Sequence, residues 1–248
     1  MLKKFLLLIA LGLPLTSHAE IVGLSTPQGA ERFRRSATDP ETLKLFSFVE
    51  TEFHRRLCGP TSVAIALNSL GIHDPTPASM SPYHLLTQET VFTPENLKVK
   101  SYQKVMEEGL TLDELRQFAE HLGVKAEAIH ASGDVPKDTL RDKIRAALVA
   151  PGTRVIVNYA RKALQQQLPG ESGDGGHISP IAAYDAPSDS FLVMDVARYK
   201  PYGPVWITFD DFLRAMQVVD KASTLPRGIL IVSRLAEAAA GAAKAAKP

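Results

Sequence analysis

Residues 56–71 read RLCGPTSVAIALNSLG, and the reading of this stretch decides the fold. From Thr61 onward it is apolar on nearly every side, and Gly71 stands where a helix would stop. That is the pattern of a helix buried all round rather than one lying on a surface. Pro60 suits the first turn, where its missing N–H costs nothing. Cys58 therefore falls at, or one residue before, the N-terminus of a central helix. It is the single cysteine of the 248-residue chain and has no intramolecular disulfide partner. Two readings stand side by side. Free cysteine is among the most buried residue types and is usually inert. Unpaired N–H groups and the positive end of the helix dipole would instead favour a reactive thiolate.

Upstream, the chain opens MLKKFLLLIALGLPLTSHAE. Two lysines, an apolar run from Phe5 to Leu15 and the small-residue pattern Ser17-His18-Ala19 predict a secretory signal peptide over residues 1–19. The apolar run is too short to span a bilayer, so no membrane span is expected in the mature form, which would be exported to the periplasm. Loss of Lys3 and Lys4 changes the formal charge from +1 to −1. So even a balance carries no basic stripe for nucleic acid. With 45% hydrophobic residues, the remainder can build one sizeable globular unit of two lobes. The closing LAEAAAGAAKAAKP offers nothing to pack and reads as a flexible tail over 237–248. A lone thiol in an oxidising compartment is a liability unless it has a use.

Downstream, a loop-rich stretch runs from His73 to Pro94. Thr111 and Glu114 make a capping box for a helix over TLDELRQFAEHLG, and DTLRDKIRAALVAPG predicts another, stopped by Pro151-Gly152. The character then changes. TRVIVNYA (153–160), HISPIAAYD (177–185), SFLVMDVA (190–197) and RGILIVSR (227–234) read as strands, with one helix near TFDDFLRAM between them. Helices first and antiparallel strands second predict an α+β fold, with a helical lobe over about 20–150 and a β lobe over about 151–236.

A β-hairpin turning at Ala186–Asp189 puts His177 opposite Asp195 or Ala197. Either register keeps His177 and Asp195 on one face, paired directly or diagonally. A carboxylate so placed fixes one tautomer of the imidazole and frees its other nitrogen to activate a thiol. The plainer alternatives are a loop histidine after a glycine-rich run and an Asp195–Arg198 salt bridge. Cys, His and Asp in this order follow the papain-like pattern. PGESGDGG lacks the lysine of a phosphate loop and the last glycine of a nucleophile elbow. His54, His73, His84, His121 and His130 show no ligand spacing, so no structural zinc site is expected.

Together, CGPTSVAIALNSL, NYARK, GGHISPIAAYD, LVMDVARYKP, PVWI and RGILIVSR resemble the catalytic domain of phytochelatin synthases. The likeness runs from about Phe46 to Arg234, is patchy between Pro75 and Lys104, and is strongest to short bacterial members that lack the cysteine-rich C-terminal half. It implies a papain-like fold over 20–236 and action on glutathione or a related small thiol peptide. The cysteine would attack the Cys–Gly peptide bond, release glycine and hold a γ-glutamylcysteinyl thioester. A second glutathione or water would then take the acyl group. Carried over, Cys58 is the nucleophile, His177 the general base and acid, and Asp195 the orienting carboxylate. Arg161 and Arg198 match family arginines near the substrate, and Thr51 falls near the γ-glutamyl end. No cofactor is implied; heavy-metal ions would enter as glutathione–thiolate complexes, and a homodimer is left open.

The sequence departs from the family six residues before Cys58, where Glu52 stands in place of a glutamine that donates to the oxyanion. An ionised carboxylate cannot donate there. The loop QQQLPGESGDGG before His177 is also longer than in relatives. With a single cysteine, hydrolysis is expected to outweigh phytochelatin synthesis. The rival expectations are a papain-like peptidase for another small peptide and a catalytically impaired peptide-binding protein.

Overall fold

The computed structural model describes residues 19–36, 40–72, 84–167, 175–200 and 203–235. The signal peptide, the Ala-rich tail and the centre of the long loop before His177 lie outside the described residues. In chain order the elements are β1 (Ile21–Gly23), α1 (Pro27–Arg35), α2 (Pro40–Phe46), α3 (Cys58–Ser69), α4 (Pro94–Val99), α5 (Tyr102–Glu108) and α6 (Leu112–His121). There follow β2 (Val124–His130), α7 (Lys137–Val149), β3 (Thr153–Ala160), β4 (Gly176–Asp185), β5 (Ser190–Val193), β6 (Val205–Thr208), α8 (Phe209–Gln217) and β7 (Gly228–Arg234).

The strands form one sheet in the order β1-β6-β5-β4-β3-β7-β2, with every neighbouring pair antiparallel. Alternation along the central strands feeds two cores. Ile156, Leu192, Trp206 and Leu230 join Val63 and Ile65 of α3 and Leu115 and Phe118 of α6. Val155, Val157, Phe191 and Ile229 join Leu140 and Ile144 of α7 and Phe212 and Met216 of α8. All twelve residues of α3 are buried; its apolar residues face every side, and its polar ones, Thr61, Ser62, Asn68 and Ser69, are each hydrogen-bonded. Gly71 supplies the positive φ of +68° that turns the chain away after Leu70.

The architecture is α+β. α3 begins at Cys58, the capping box of Thr111 and Glu114 closes both ways, and β3 spans the residues read as a strand. Two corrections follow. The helical half is not wholly helical, because β1 and β2 come from it and form the two edges of the sheet. β5 is also shorter than the strand read over 190–197, ending at Val193. A bulge between Ile181 and Ala183 shifts the register, and the Val196 N–H donates to Ser179 Oγ (3.3 Å) instead of continuing the ladder.

Candidate active site

α3 carries Cys58 as its first residue, after Leu57, which makes no side-chain capping bond. Two hydroxyls in the first turn anchor it. Ser62 Oγ donates to the Ile178 carbonyl (3.1 Å), and Thr61 Oγ1 donates to Gln88 Oε1 (3.0 Å). Gln88 is itself buried. Its Oε1 accepts the Phe53 N–H and its Nε2 donates to the Thr51 carbonyl. One glutamine thus fixes residues 51–53 against the start of α3 and brings Glu52 beside Cys58.

The hairpin supplies the base. His177 Nε2 lies 2.9 Å from Asp195 Oδ1 and 3.0 Å from Ser179 Oγ. Continuing the β4–β5 register beyond the bulge places His177 opposite Ala197 and Asp195 on the diagonal. Asp195 is fully buried. Its Oδ1 also accepts the Ala197 N–H (2.8 Å), and Arg161 Nη2 reaches both carboxylate oxygens at 2.7 and 2.6 Å. Tyr159, opposite His177 in the β3–β4 register, packs edge-on against the imidazole at 5.7 Å between ring centres. A carboxylate at Nε2 selects the tautomer protonated there and leaves Nδ1 as the basic nitrogen. Burial opposes charge on Asp195, but His177 and Arg161 outweigh it and hold the carboxyl well below its ordinary range. Burial, then Arg161, holds His177 below its ordinary value against the pull of Asp195, so the resting imidazole is neutral.

Cys58 is 6% exposed. Burial, then the charge of Glu52, pushes its thiol up to about 12, with partial relief from the backbone of Ile178 and Gly59. Of the two readings of Cys58 at the helix terminus, burial favours the resting thiol over the thiolate. Glu52 is buried as well, at 2% exposure. Burial raises its carboxyl to about 7, against the Tyr199 hydroxyl, which donates to Oε1 at 2.7 Å. Oε2 is buried without a hydrogen-bond partner among the described residues. A carboxylate oxygen of Glu52, Cys58 Sγ and a ring nitrogen of His177 all lie within 4.8 Å of one another.

These groups form the wall of a cleft of about 470 Å³, a size suited to a small ligand. Its lining mixes cations (Arg55, Arg56, Lys200, Lys221, Arg227) with acids (Glu107, Glu108, Asp220). Of the residues singled out in the sequence, Cys58, His177, Glu52 and Arg161 line it, and Asp195 is buried behind them against His177 and Arg161. Thr51 and Arg198 are exposed and do not line the cleft. Asp195 pairs with Arg161, not with the neighbouring Arg198. Sequence reasoning missed Gln88, which lies in a stretch read as loop, and Tyr199, although it sits inside LVMDVARYKP. Arg55 and Arg56, just upstream of Cys58, also stand on the cleft wall.

The sequence model described as phytochelatin synthase matches residues 13–229. The chain belongs to the phytochelatin synthase family. Glutathione gamma-glutamylcysteinyltransferase 3 of Lotus japonicus is 30% identical over 220 residues, covering 88% of this chain and 43% of that protein. The glutathione gamma-glutamylcysteinyltransferase of Schizosaccharomyces pombe is 25% identical over 207 residues, covering 82% of this chain and 47% of its own length. The chain therefore spans less than half the length of these curated relatives. A solved structure, the Pseudomonas avirulence protein AvrPphB, aligns over 76% of this chain at 9% identity, with a TM-score of 0.29 that carries no argument.

Proposed function

We infer that this member of the phytochelatin synthase family is a thiol-dependent γ-glutamylcysteinyl transferase and hydrolase acting on glutathione. The observation that carries the reading is that Cys58 and His177, the latter held by the buried Asp195, meet on the wall of a cleft lined by cations, in a chain whose relatives are named for that transfer. His177 Nδ1 takes the Sγ proton. The sulfur attacks the carbonyl carbon of the Cys–Gly bond, and the imidazolium returns its proton to the leaving glycine amine. The γ-glutamylcysteinyl group then rests on Cys58 as a thioester. Arg55 and Arg56 offer charge-assisted hydrogen bonds to a tripeptide that carries two carboxylates. Asp195, held by Arg161, orients the imidazole and stabilises its charged form.

Water is proposed as the principal acceptor. The Glu52 carboxyl beside the sulfur gives an attacking water a proton acceptor, while its charge weakens oxyanion stabilisation during acylation. Export to the periplasm, read from the N-terminal sequence, is part of the same proposal. The test is incubation of the purified protein with glutathione and assay of free glycine. Glycine should appear with a nearly equal amount of γ-glutamylcysteine, the small difference being matched by phytochelatin as a minor product. No glycine above a Cys58→Ala control would overturn the reading and favour a peptidase for another peptide.

A further inference from the structure

The mechanism above asks for a nucleophile and a base, but the structure brings a third donor to the same point. Cys58 Sγ, a His177 ring nitrogen and a Glu52 carboxylate oxygen lie within 4.8 Å of one another, all on buried side chains. Sulfur, imidazole nitrogen and carboxylate oxygen are the donor set of a catalytic-type zinc site: three protein ligands with one position open. In a tetrahedral site with metal–ligand bonds of about 2.0–2.3 Å, donors stand roughly 3.3–3.6 Å apart. Side-chain rotations of about an ångström would close the present triangle on an ion. An independent observation points the same way. Glu52 Oε2 is buried without a hydrogen-bond partner among the described residues, a costly arrangement unless something meets it.

Both outer residues are also held in position. Asp195 and Ser179 hold His177 through Nε2 and leave Nδ1 for the ion, while Tyr199 holds Glu52 through Oε1. Such outer contacts orient metal ligands and raise their basicity. Cys58, His177 and Glu52 all line the cleft, which gives an ion a route to them.

We propose that Cys58, His177 and Glu52 form a binding site for a divalent cation of the zinc type, and that the ion reversibly blocks the nucleophile. In the binding step the S–H bond of Cys58 breaks, a metal–sulfur bond forms, and the proton passes to the buffer; no electron is transferred. A small thiol in excess removes the ion as its own thiolate complex and restores the free sulfur. The binding does not depend on what the enzyme cleaves.

The experiment titrates the purified, metal-free protein with Co²⁺ and follows its absorption, then displaces the Co²⁺ with Zn²⁺. One Co²⁺ per chain, with a thiolate-to-cobalt charge-transfer band, is expected. The band should vanish in Cys58→Ser, and Glu52→Gln should weaken binding by about tenfold or more, as lost metal-site contacts typically do. In parallel, one equivalent of Zn²⁺ should protect Cys58 of the unaltered protein from iodoacetamide, with alkylation restored by a chelator. Absence of the charge-transfer band, or alkylation unaffected by Zn²⁺, would overturn the site. Equal affinity in a folded Glu52→Gln protein would remove the third ligand and with it the proposal.

Discussion

Three donors share one carboxylate at Asp195: Arg161 Nη2 reaches both oxygens, and His177 Nε2 and the Ala197 N–H reach Oδ1. A buried anion so matched costs far less than an unpaired one, and the pairing explains how an acid is buried just beyond the apolar strand β5. Glu52 shows the opposite balance. It has one hydroxyl donor, no cation within salt-bridge distance among the described residues, and a carboxyl raised to about 7 by burial. Replacing it with glutamine keeps the shape and adds N–H donors beside the sulfur. A single donor to an oxyanion is worth about 10²–10³ in kcat. Glu52→Gln should therefore raise the single-turnover rate of Cys58 acylation by about tenfold or more. An unchanged or lower rate would place Glu52 outside the oxyanion region.

Among the elements, those with a strong local signal were legible. The apolar residues on nearly every side of α3, the capping box of α6 and the β-branched run of β3 each state their structure within a dozen residues. β1, β2 and β6 were not read as strands. β1 has three residues and β6 four, and each gains its order from neighbours far along the chain. In β2, Lys125 and Glu127 point to solvent at the sheet edge, which dilutes the apolar pattern. The end of β4 also depends on a distant element. Asp185 accepts both Arg35 Nε and Nη2 at 2.7 Å, tying α1 to the hairpin that holds His177. Burial opposes charge on Asp185, but Arg35 and Ser188 outweigh it and lower its carboxyl below the ordinary value. The stability this contributes is therefore present at neutral pH and fades as pH falls from the ordinary aspartate range, near 3.9, through the lowered one. Asp185→Asn should unfold in urea at lower concentration than the unaltered protein at neutral pH, and the gap should narrow in acid. A gap that stays constant with pH would remove the ion pair as its cause.

Across the whole molecule, sequence separation set the limit of what could be read. The Cys, His and Asp order was visible, and one hairpin register was enough to bring His177 to Asp195. The meeting of that hairpin with Glu52 was not, because it requires Gln88 to clamp residues 51–53 onto α3 and β4 to receive Ser62. Nor could Arg161, carried over as a substrate contact, be seen to hold Asp195 from the end of β3. Arg55 and Arg56 acquire a role only once the cleft exists. The fold thus turns one cysteine into the centre of a site whose other members come from five separated stretches of chain. In the proposed reaction Cys58 carries the γ-glutamylcysteinyl group during turnover. The direct measurement is mass spectrometry of the protein quenched in acid during reaction with glutathione. One γ-glutamylcysteinyl group per chain, on the peptide that contains Cys58 and labile to hydroxylamine, is the result predicted. Glycine release with no adduct on that peptide, and with undiminished rate in Cys58→Ala, would contradict it.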